Sequence, residues 1–306
     1  MYDLIIFGAG PAGMTAAIYA ARRKINFIIL SSNVGGQMTL SSEVKNYPGY
    51  SVLTGTDLTA KFQEHVSEYG VEIKQEEILN LEKRDSTCFV KTSIGKYESK
   101  AVIIATGKKS RKLDVPGEEN FAGKGVSYCA TCDAPLFKDK VVAVIGGGNS
   151  GLEAALFLSK YANKIYLLET SSGLKGEKYL RDPVLNDNKI SVILNSNVKE
   201  IYGEKVVKGL KYLEKDKEKS IDLDGIFVEV GLITEADFTN VKKNKWGEII
   251  IKRRTNTHDE NLTSVPGIFA AGDCTDIPAK QIVAAAGEGC KAALASFDYI
   301  LKWLKH

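Results

Sequence analysis

Short apolar runs closed by glycine, each followed by an amphipathic stretch, recur along the chain. Tyr2-Asp3-Leu4-Ile5-Ile6-Phe7 reads as a strand, and the alanine-rich Met14 to Arg22 reads as a helix. The pattern repeats with a strand at Val141 to Ile145, a helix at Leu152 to Lys160, and a further strand at Lys164 to Leu168 that ends on Glu169. Other strands end at Ile103-Ile104-Ala105-Thr106-Gly107, run over Gly225 to Val230, and close with Ile268-Phe269-Ala270-Ala271-Gly272-Asp273. A long amphipathic segment, Gln281 to Lys302, follows the last of these. Strands alternating with helices predict an α/β protein.

The junctions between strand and helix carry the chemistry. Gly8-Ala9-Gly10-Pro11-Ala12-Gly13 and Gly146-Gly147-Gly148-Asn149-Ser150-Gly151 both follow an apolar strand and open a helix, the context a dinucleotide fingerprint requires. Gly8 permits the tight turn, Gly10 lets backbone approach a pyrophosphate, and Gly13 lets helix and strand pack closely. The helix N-terminus then attracts the phosphate charge. Glu169 lies where an acid roughly 20 residues past the glycines holds a ribose 2′-hydroxyl. Asp273 suits a ribityl or phosphate-linked hydroxyl, and the N-terminal end of the last helix suits the electron-rich edge of a reduced flavin.

Asp114-Val115-Pro116-Gly117-Glu118 reads as a connection between domains, and a second crossing is expected between Gly231 and Asp237. The expected organisation is two Rossmann-like, three-layer ββα dinucleotide-binding domains. Residues 1–113 and 237–306 form the first; residues 114–236 are inserted as the second, joined by a two-stranded hinge.

The 306 residues suffice for two domains, and the formal net charge of +3, from 41 basic and 38 acidic residues, makes no case for nucleic acid. Lys242-Lys243 and Arg253-Arg254 read as solvated surface. The N-terminus has no signal-peptide pattern and no apolar run is long enough to span a bilayer, so the expected location is the cytosol. There a Cys-x-x-Cys is catalytic or metal-binding more often than structural. Cys129-Ala130-Thr131-Cys132-Asp133 lies between the two fingerprints, and its sulfurs can close to a disulfide or open to a dithiol, carrying two electrons. No zinc is expected, because His65, His258 and His306 lie far away in sequence and there is no second Cys-x-x-Cys. Cys88, Cys274 and Cys290 read as small buried apolar residues. Tyr47 and Tyr128 suit either packing or a place beside the flavin or the cysteines.

From Tyr2 to about Leu301 the chain resembles a low-molecular-weight thioredoxin reductase. The likeness is carried by Gly8 to Gly13, Gly35-Gly36-Gln37, Asn46-Tyr47-Pro48-Gly49, Ala105-Thr106-Gly107, Cys129 to Asp133, Gly146 to Gly151, Ala271-Gly272-Asp273 and Gln281-Ile282. Tracts such as Gly148 to Ala155 and Gly272 to Pro278 are also similar to the reductase module of alkyl hydroperoxide reductase flavoproteins. Those flavoproteins carry a thioredoxin-like module ahead of it that these residues do not contain, so a separate thioredoxin or thioredoxin-like protein is the expected acceptor. The resemblance implies FAD in the outer domain, held by Gly8, Gly10, Pro11, Ala12, Gly13, Gly36, Gln37, Asn46, Ala105, Thr106, Gly107, Gly272, Asp273, Lys280, Gln281 and Ile282. It implies a pyridine nucleotide on Gly146, Gly148, Asn149, Ser150, Gly151, Glu153 and Glu169. It further implies that Cys132 accepts electrons from the flavin, that Cys129 attacks the substrate disulfide, that Asp133 serves as acid/base, that the two domains alternate in orientation, and that the protein is a homodimer.

Two departures bear on the electron donor. Where the family carries a His-Arg-Arg run and a later arginine, this chain has Glu169-Thr170-Ser171 and Lys175. A carboxylate repels a 2′-phosphate and suits a free 2′-hydroxyl, which favours NADH over NADPH. Thr234-Glu235-Ala236 replaces the usual Pro-Asn-Thr, and with two altered nucleotide features reduced ferredoxin stands as the alternative donor. A ferredoxin–NAD(P) reductase needs no Cys-x-x-Cys. A non-catalytic redox sensor needs no second nucleotide fold.

Overall fold

A computed structural model describes residues 1–41, 44–215, 217–234, 236–253 and 259–303. Glu235, Arg254, His258 and His306 lie outside the described residues. The chain runs β1 (Tyr2–Ala9), α1 (Pro11–Arg22), β2 (Phe27–Val34), α2 (Gly55–Glu68), β3 (Ile73–Gln75), β4 (Ile78–Arg84), β5 (Thr87–Thr92), β6 (Lys96–Ile104) and β7 (Lys109–Ser110). It continues through β8 (Val126–Ser127), α3 (Ala130–Asp133), β9 (Val141–Ile145), α4 (Asn149–Leu158), β10 (Lys164–Leu168), α5 (Lys178–Asn186) and β11 (Ile190–Ile193). The last elements are β12 (Ser196–Gly203), β13 (Val207–Glu214), β14 (Lys217–Asp222), β15 (Gly225–Val228), β16 (Leu232–Ile233), β17 (Ile268–Ala270) and α6 (Ile282–Trp303).

Two compact units result, Met1–Lys109 with Ile233–His306, and Ser110–Leu232. In the first, β1 lies parallel between β2 and β6 in a seven-stranded sheet ordered β3-β2-β1-β6-β5-β4. β6 changes partner along its length: Lys96–Ser99 pair antiparallel with β5, and Val102–Ile104 pair parallel with β17. Alternation along β1 decides the layers. Leu4 and Ile6 join Met14, Leu58, Ile103 and Ala292 under the helices, while Ile5 and Phe7 join Leu81, Val90, Val241 and Ile249 on the opposite face. α1 begins at Pro11, three residues ahead of the expected Met14, because proline at the first helical position lacks only an N–H that would have no partner there.

The second unit repeats the plan. Its five parallel strands run β11-β10-β9-β15-β8. Val142 and Val144 pack with Leu152, Ala155 and Leu158 of α4, whereas Ala143 and Ile145 pack with Ile201, Leu210 and Tyr212 of the β12-β13-β14 meander.

The crossings between units fall at 109/110 and 232/233, where β7 and β16 pair as a two-stranded ladder, four residues before each boundary read from the turn signals. Leu113 and Val115 pack into the core of the second unit, and Ala236 and Phe238 into that of the first. Proline and glycine mark where the chain turns, but burial decides which side of the turn belongs to which core. No helix among the described residues is long and apolar enough to cross a membrane.

Candidate functional site

The two glycine loops have the same local construction. Gly8 and Gly146 turn with φ of +95° and +118°, a region that L side chains avoid. A Cβ on Gly13 would lie 1.8 Å from the Gly8 carbonyl oxygen, and one on Gly151 would lie 1.9 Å from that of Gly146. These four glycines are therefore demanded by the protein's own packing. Gly10 and Gly148 are not. Both have extended backbone, and a Cβ would meet nothing nearer than 3.9 Å at Gly10 and nothing within 4 Å at Gly148. Each is the N-cap of a helix with no side chain capping it. Open space over uncapped amides fits a pyrophosphate.

In the first unit the FAD candidates gather at the carboxyl end of the sheet. Gly36 stands 3.8 Å, measured from its would-be Cβ, from the Gly10 Cα, and a Cβ on Gly272 would lie 3.0 Å from that of Ala12. Ala105 donates its N–H to the Phe7 carbonyl at 2.8 Å, placing Ala105-Thr106-Gly107 beside the first loop. Gln37 donates to the Lys108 carbonyl at 3.0 Å and Asn46 to Gln281 at 3.0 Å, so distant stretches share one rim that continues into Ile282 of α6. Lys280 donates to the backbone carbonyls of Asp273 and Thr275. Burial pushes the Asp273 carboxyl up, opposed by Lys280 and Lys108.

In the second unit Glu169 is buried at the end of β10. One oxygen accepts from the Gly147 N–H at 2.7 Å; the other accepts from the Ser171 N–H at 2.8 Å and hydroxyl at 2.7 Å, with Lys175 at 3.3 Å. Burial alone would push this carboxyl up, but the Ser171, Gly147 and Lys175 donors outweigh it and bring it down to about 2. The following segment folds back over the glycine loop. The N–H groups of Lys175 and Gly176 donate to the Gly147 carbonyl, and Asn149 exchanges hydrogen bonds with Glu177. Ser150 is exposed in the first turn of α4, and burial pushes the Glu153 carboxyl up one turn further along.

Sequence reasoning passed over Glu229. It follows β15, and its carbonyl oxygen lies 2.3 Å from where a Gly146 Cβ would be. Burial first, and the neighbouring Glu153 second, push its carboxyl up to about 7. The available signal was an acid closing an otherwise apolar strand.

Cys129 and Cys132 form a disulfide. Cys129 is the N-cap of α3: its sulfur accepts from the Cys132 N–H at 3.1 Å, and its own N–H donates to the Ser127 hydroxyl at 3.0 Å. Cys132 is exposed and Cys129 half-buried; Asp133 donates its N–H to the Cys129 carbonyl at 3.2 Å. An amide aimed at the Cys129 sulfur favours its thiolate once the disulfide opens. Tyr128 donates to Glu118 at 2.8 Å, and Tyr47 packs edge-on against Phe62. Cys88 and Cys274 are buried, and burial lifts both thiols to about 11, leaving them unreactive. Cys290, expected to be buried like them, is only half-buried, because its place on α6 lies toward Tyr19 rather than inside a core.

Residues 2–289 match the family described as pyridine nucleotide-disulphide oxidoreductase. The chain is 39% identical over 306 residues to a protein named NADH dehydrogenase from Bacillus subtilis (strain 168), covering 98% of this chain and 59% of that one. It is 40% identical over 307 residues to a flavoprotein-type relative of Staphylococcus aureus (strain NCTC 8325 / PS 47) named as a component of alkyl hydroperoxide reductase, with the same coverage. The chain thus spans about three-fifths of the length of the curated relatives it matches. Among solved structures it is similar to Lactococcus lactis thioredoxin reductase, with a TM-score of 0.86 and 34% identity over 99% of this chain and 100% of that one. Two glycine-loop units, one interrupting the other and carrying a Cys-x-x-Cys disulfide, agree with these matches: the chain belongs to the pyridine nucleotide-disulphide oxidoreductase family, as a flavoprotein of the low-molecular-weight thioredoxin reductase type.

Proposed function

We propose that the protein is an NADH-dependent disulfide reductase that passes two electrons through FAD to the Cys129–Cys132 disulfide and on to a thioredoxin-like protein. The observation that carries the donor assignment is the buried, ionised Glu169 beside the Gly146–Gly151 loop. A fixed negative charge there disfavours a 2′-phosphate. The Glu169 oxygen that accepts from Gly147 keeps a lone pair for a ribose hydroxyl. The names of the two curated relatives, one an NADH dehydrogenase, support the same reading.

Bound FAD would supply two-electron chemistry between nucleotide and disulfide. The first unit's glycines, Gln37, Asn46, Asp273 and Lys280 would hold it. Two electrons and two protons convert the disulfide to a dithiol. Cys132 takes the electrons, and Cys129, with the Cys132 amide favouring its thiolate, attacks the acceptor disulfide and forms a mixed disulfide that Cys132 resolves. Asp133 is the neighbouring proton donor and acceptor.

The test is anaerobic bleaching of the flavin by NADH, NADPH and reduced ferredoxin in parallel, followed by turnover with thioredoxin. NADH is expected to bleach it at low concentration. NADPH acting at low concentration with NADH inert would overturn the donor, and bleaching by ferredoxin alone would replace it with a protein. Cys129→Ser and Cys132→Ser are expected to abolish turnover while the yellow colour stays; turnover surviving both would sink the disulfide route.

A further inference from the structure

Lys108, Glu248 and Lys280 form a charge cluster that neither glycine loop nor disulfide accounts for. Lys108 approaches one Glu248 oxygen at 2.9 Å and Lys280 the same oxygen at 3.1 Å, while Asn244 donates to the other at 2.7 Å. The side chains are largely buried: Lys108 is 16% exposed, Glu248 13% and Lys280 27%. Surface ion pairs are screened by water, but this one is not, so each charge acts over several ångströms. Two lysines share a single carboxylate, with the partly buried Asp273 as the other acid nearby.

The position of the cluster gives it a role. In open α/β sheets a dinucleotide lies outside the carboxyl ends of the strands, with the adenosine ribose toward the strand that follows the first glycine loop. Here that strand is β2, on one side of β1, and the strands on the other side are β6 and β17. Lys108 follows β6, and Lys280 reaches back to the turn that follows β17. The half of the dinucleotide that carries the reactive ring therefore extends toward the cluster. An oxidised flavin ring is neutral; on gaining two electrons and one proton it carries one negative charge. Nearby charges of fixed sign shift that equilibrium in opposite directions.

We propose that Lys108, Glu248 and Lys280 act as positioned charges that set the reduction potential of a flavin in the first unit. This rests on the reading that the first unit binds FAD. Lys108 favours the reduced anion and Glu248 opposes it.

The test is the midpoint potential of the flavin in the holoprotein, measured anaerobically against a reference dye during slow reduction. Lys108→Met is expected to lower the equilibrium constant for two-electron reduction about tenfold, or about 30 mV. Glu248→Gln, which leaves both lysines without their shared carboxylate, is expected to raise it by about as much. Lys108→Arg, which keeps the charge, should stay near the parent value. Opposite signs are the signature, because a cluster that only braces the fold would move both variants in one direction or merely release FAD. Shifts of equal sign, or none beyond about threefold, overturn the proposal. A parent protein that purifies colourless and takes up no FAD refutes the reading beneath it instead. Should Lys108→Met fail to fold, Lys108→Gln and Lys280→Met carry the same expected sign.

Discussion

Replacing Glu169 by glutamine tests the second unit at one pair of atoms. The carboxylate oxygens accept from the Gly147 and Ser171 N–H groups on opposite sides. A glutamine has one acceptor oxygen, so either way round its amide presents N–H to N–H on one side. Hydrogen bonds to charged groups are worth roughly 1.5–3 kcal/mol each, and a buried donor left without a partner costs its desolvation. Linkage provides a second estimate. The native carboxyl, down at about 2 against an ordinary 4.5, contributes about 3 kcal/mol at neutral pH. The sign follows from the lowered value: the contribution is complete above the ordinary carboxylate range and is lost as pH falls from about 4.5 through about 2. Lys175 adds little, being 64% exposed against 6% for Glu169. Both tryptophans, Trp246 and Trp303, belong to the first unit, so fluorescence does not report on the second. Amide hydrogen exchange does. For Glu169→Gln the amides of Gly147, Ser171, β9 and β10 are expected to exchange roughly 100-fold faster at neutral pH. The advantage of the parent should shrink toward acid. Exchange within threefold of the parent, or an unaltered gap at low pH, would refute the account.

Glu229 carries the opposite sign. Its carboxyl is raised to about 7, so its stabilising contribution is complete below about 4.5 and is lost as pH rises through 7. Glu229→Gln should flatten the pH dependence of the urea midpoint between pH 5 and 8 by up to about 3 kcal/mol; an unchanged slope would count against a shared burden with Glu153. A pair of glycine substitutions separates fold from ligand. Gly13→Ala, with its Cβ 1.8 Å from a backbone oxygen, should lower the thermal midpoint and release FAD together. Gly10→Ala meets nothing nearer than 3.9 Å, so its apo form should unfold where the parent does while its FAD-to-protein absorbance ratio falls. Equal thermal losses in the two variants would remove the claim that Gly10 serves the ligand.

Much of this site was legible in the chain because the demands on it are local. A strand, a glycine at positive φ, a glycine against the strand's own carbonyl and a helix lie within a few residues of one another, and sterics alone constrain them. The Cys-x-x-Cys is local for the same reason, since three residues set which amide faces which sulfur. The domain crossings were displaced by four residues because Leu113 and Ala236 answer to cores assembled from distant sequence. Glu229, Lys108 and Glu248 belong to no motif. Their significance comes from partners 76 and 140 residues away in sequence, Glu153 and the Lys108–Glu248 pair itself, and nothing in a local window reports that.

By itself, then, the order of residues determined the alternation of strand and helix, the two glycine turns, the redox pair and the sign of the charge at position 169. Each depends on backbone sterics or on chemistry carried by neighbours along the chain. Tertiary structure decided the state of those groups. Burial combined with donors from Gly147 and Ser171 holds Glu169 ionised, while burial beside Glu153 holds Glu229 near neutrality. Two carboxylates of one residue type thus take opposite character, because desolvation and hydrogen bonding depend on what the fold brings around them.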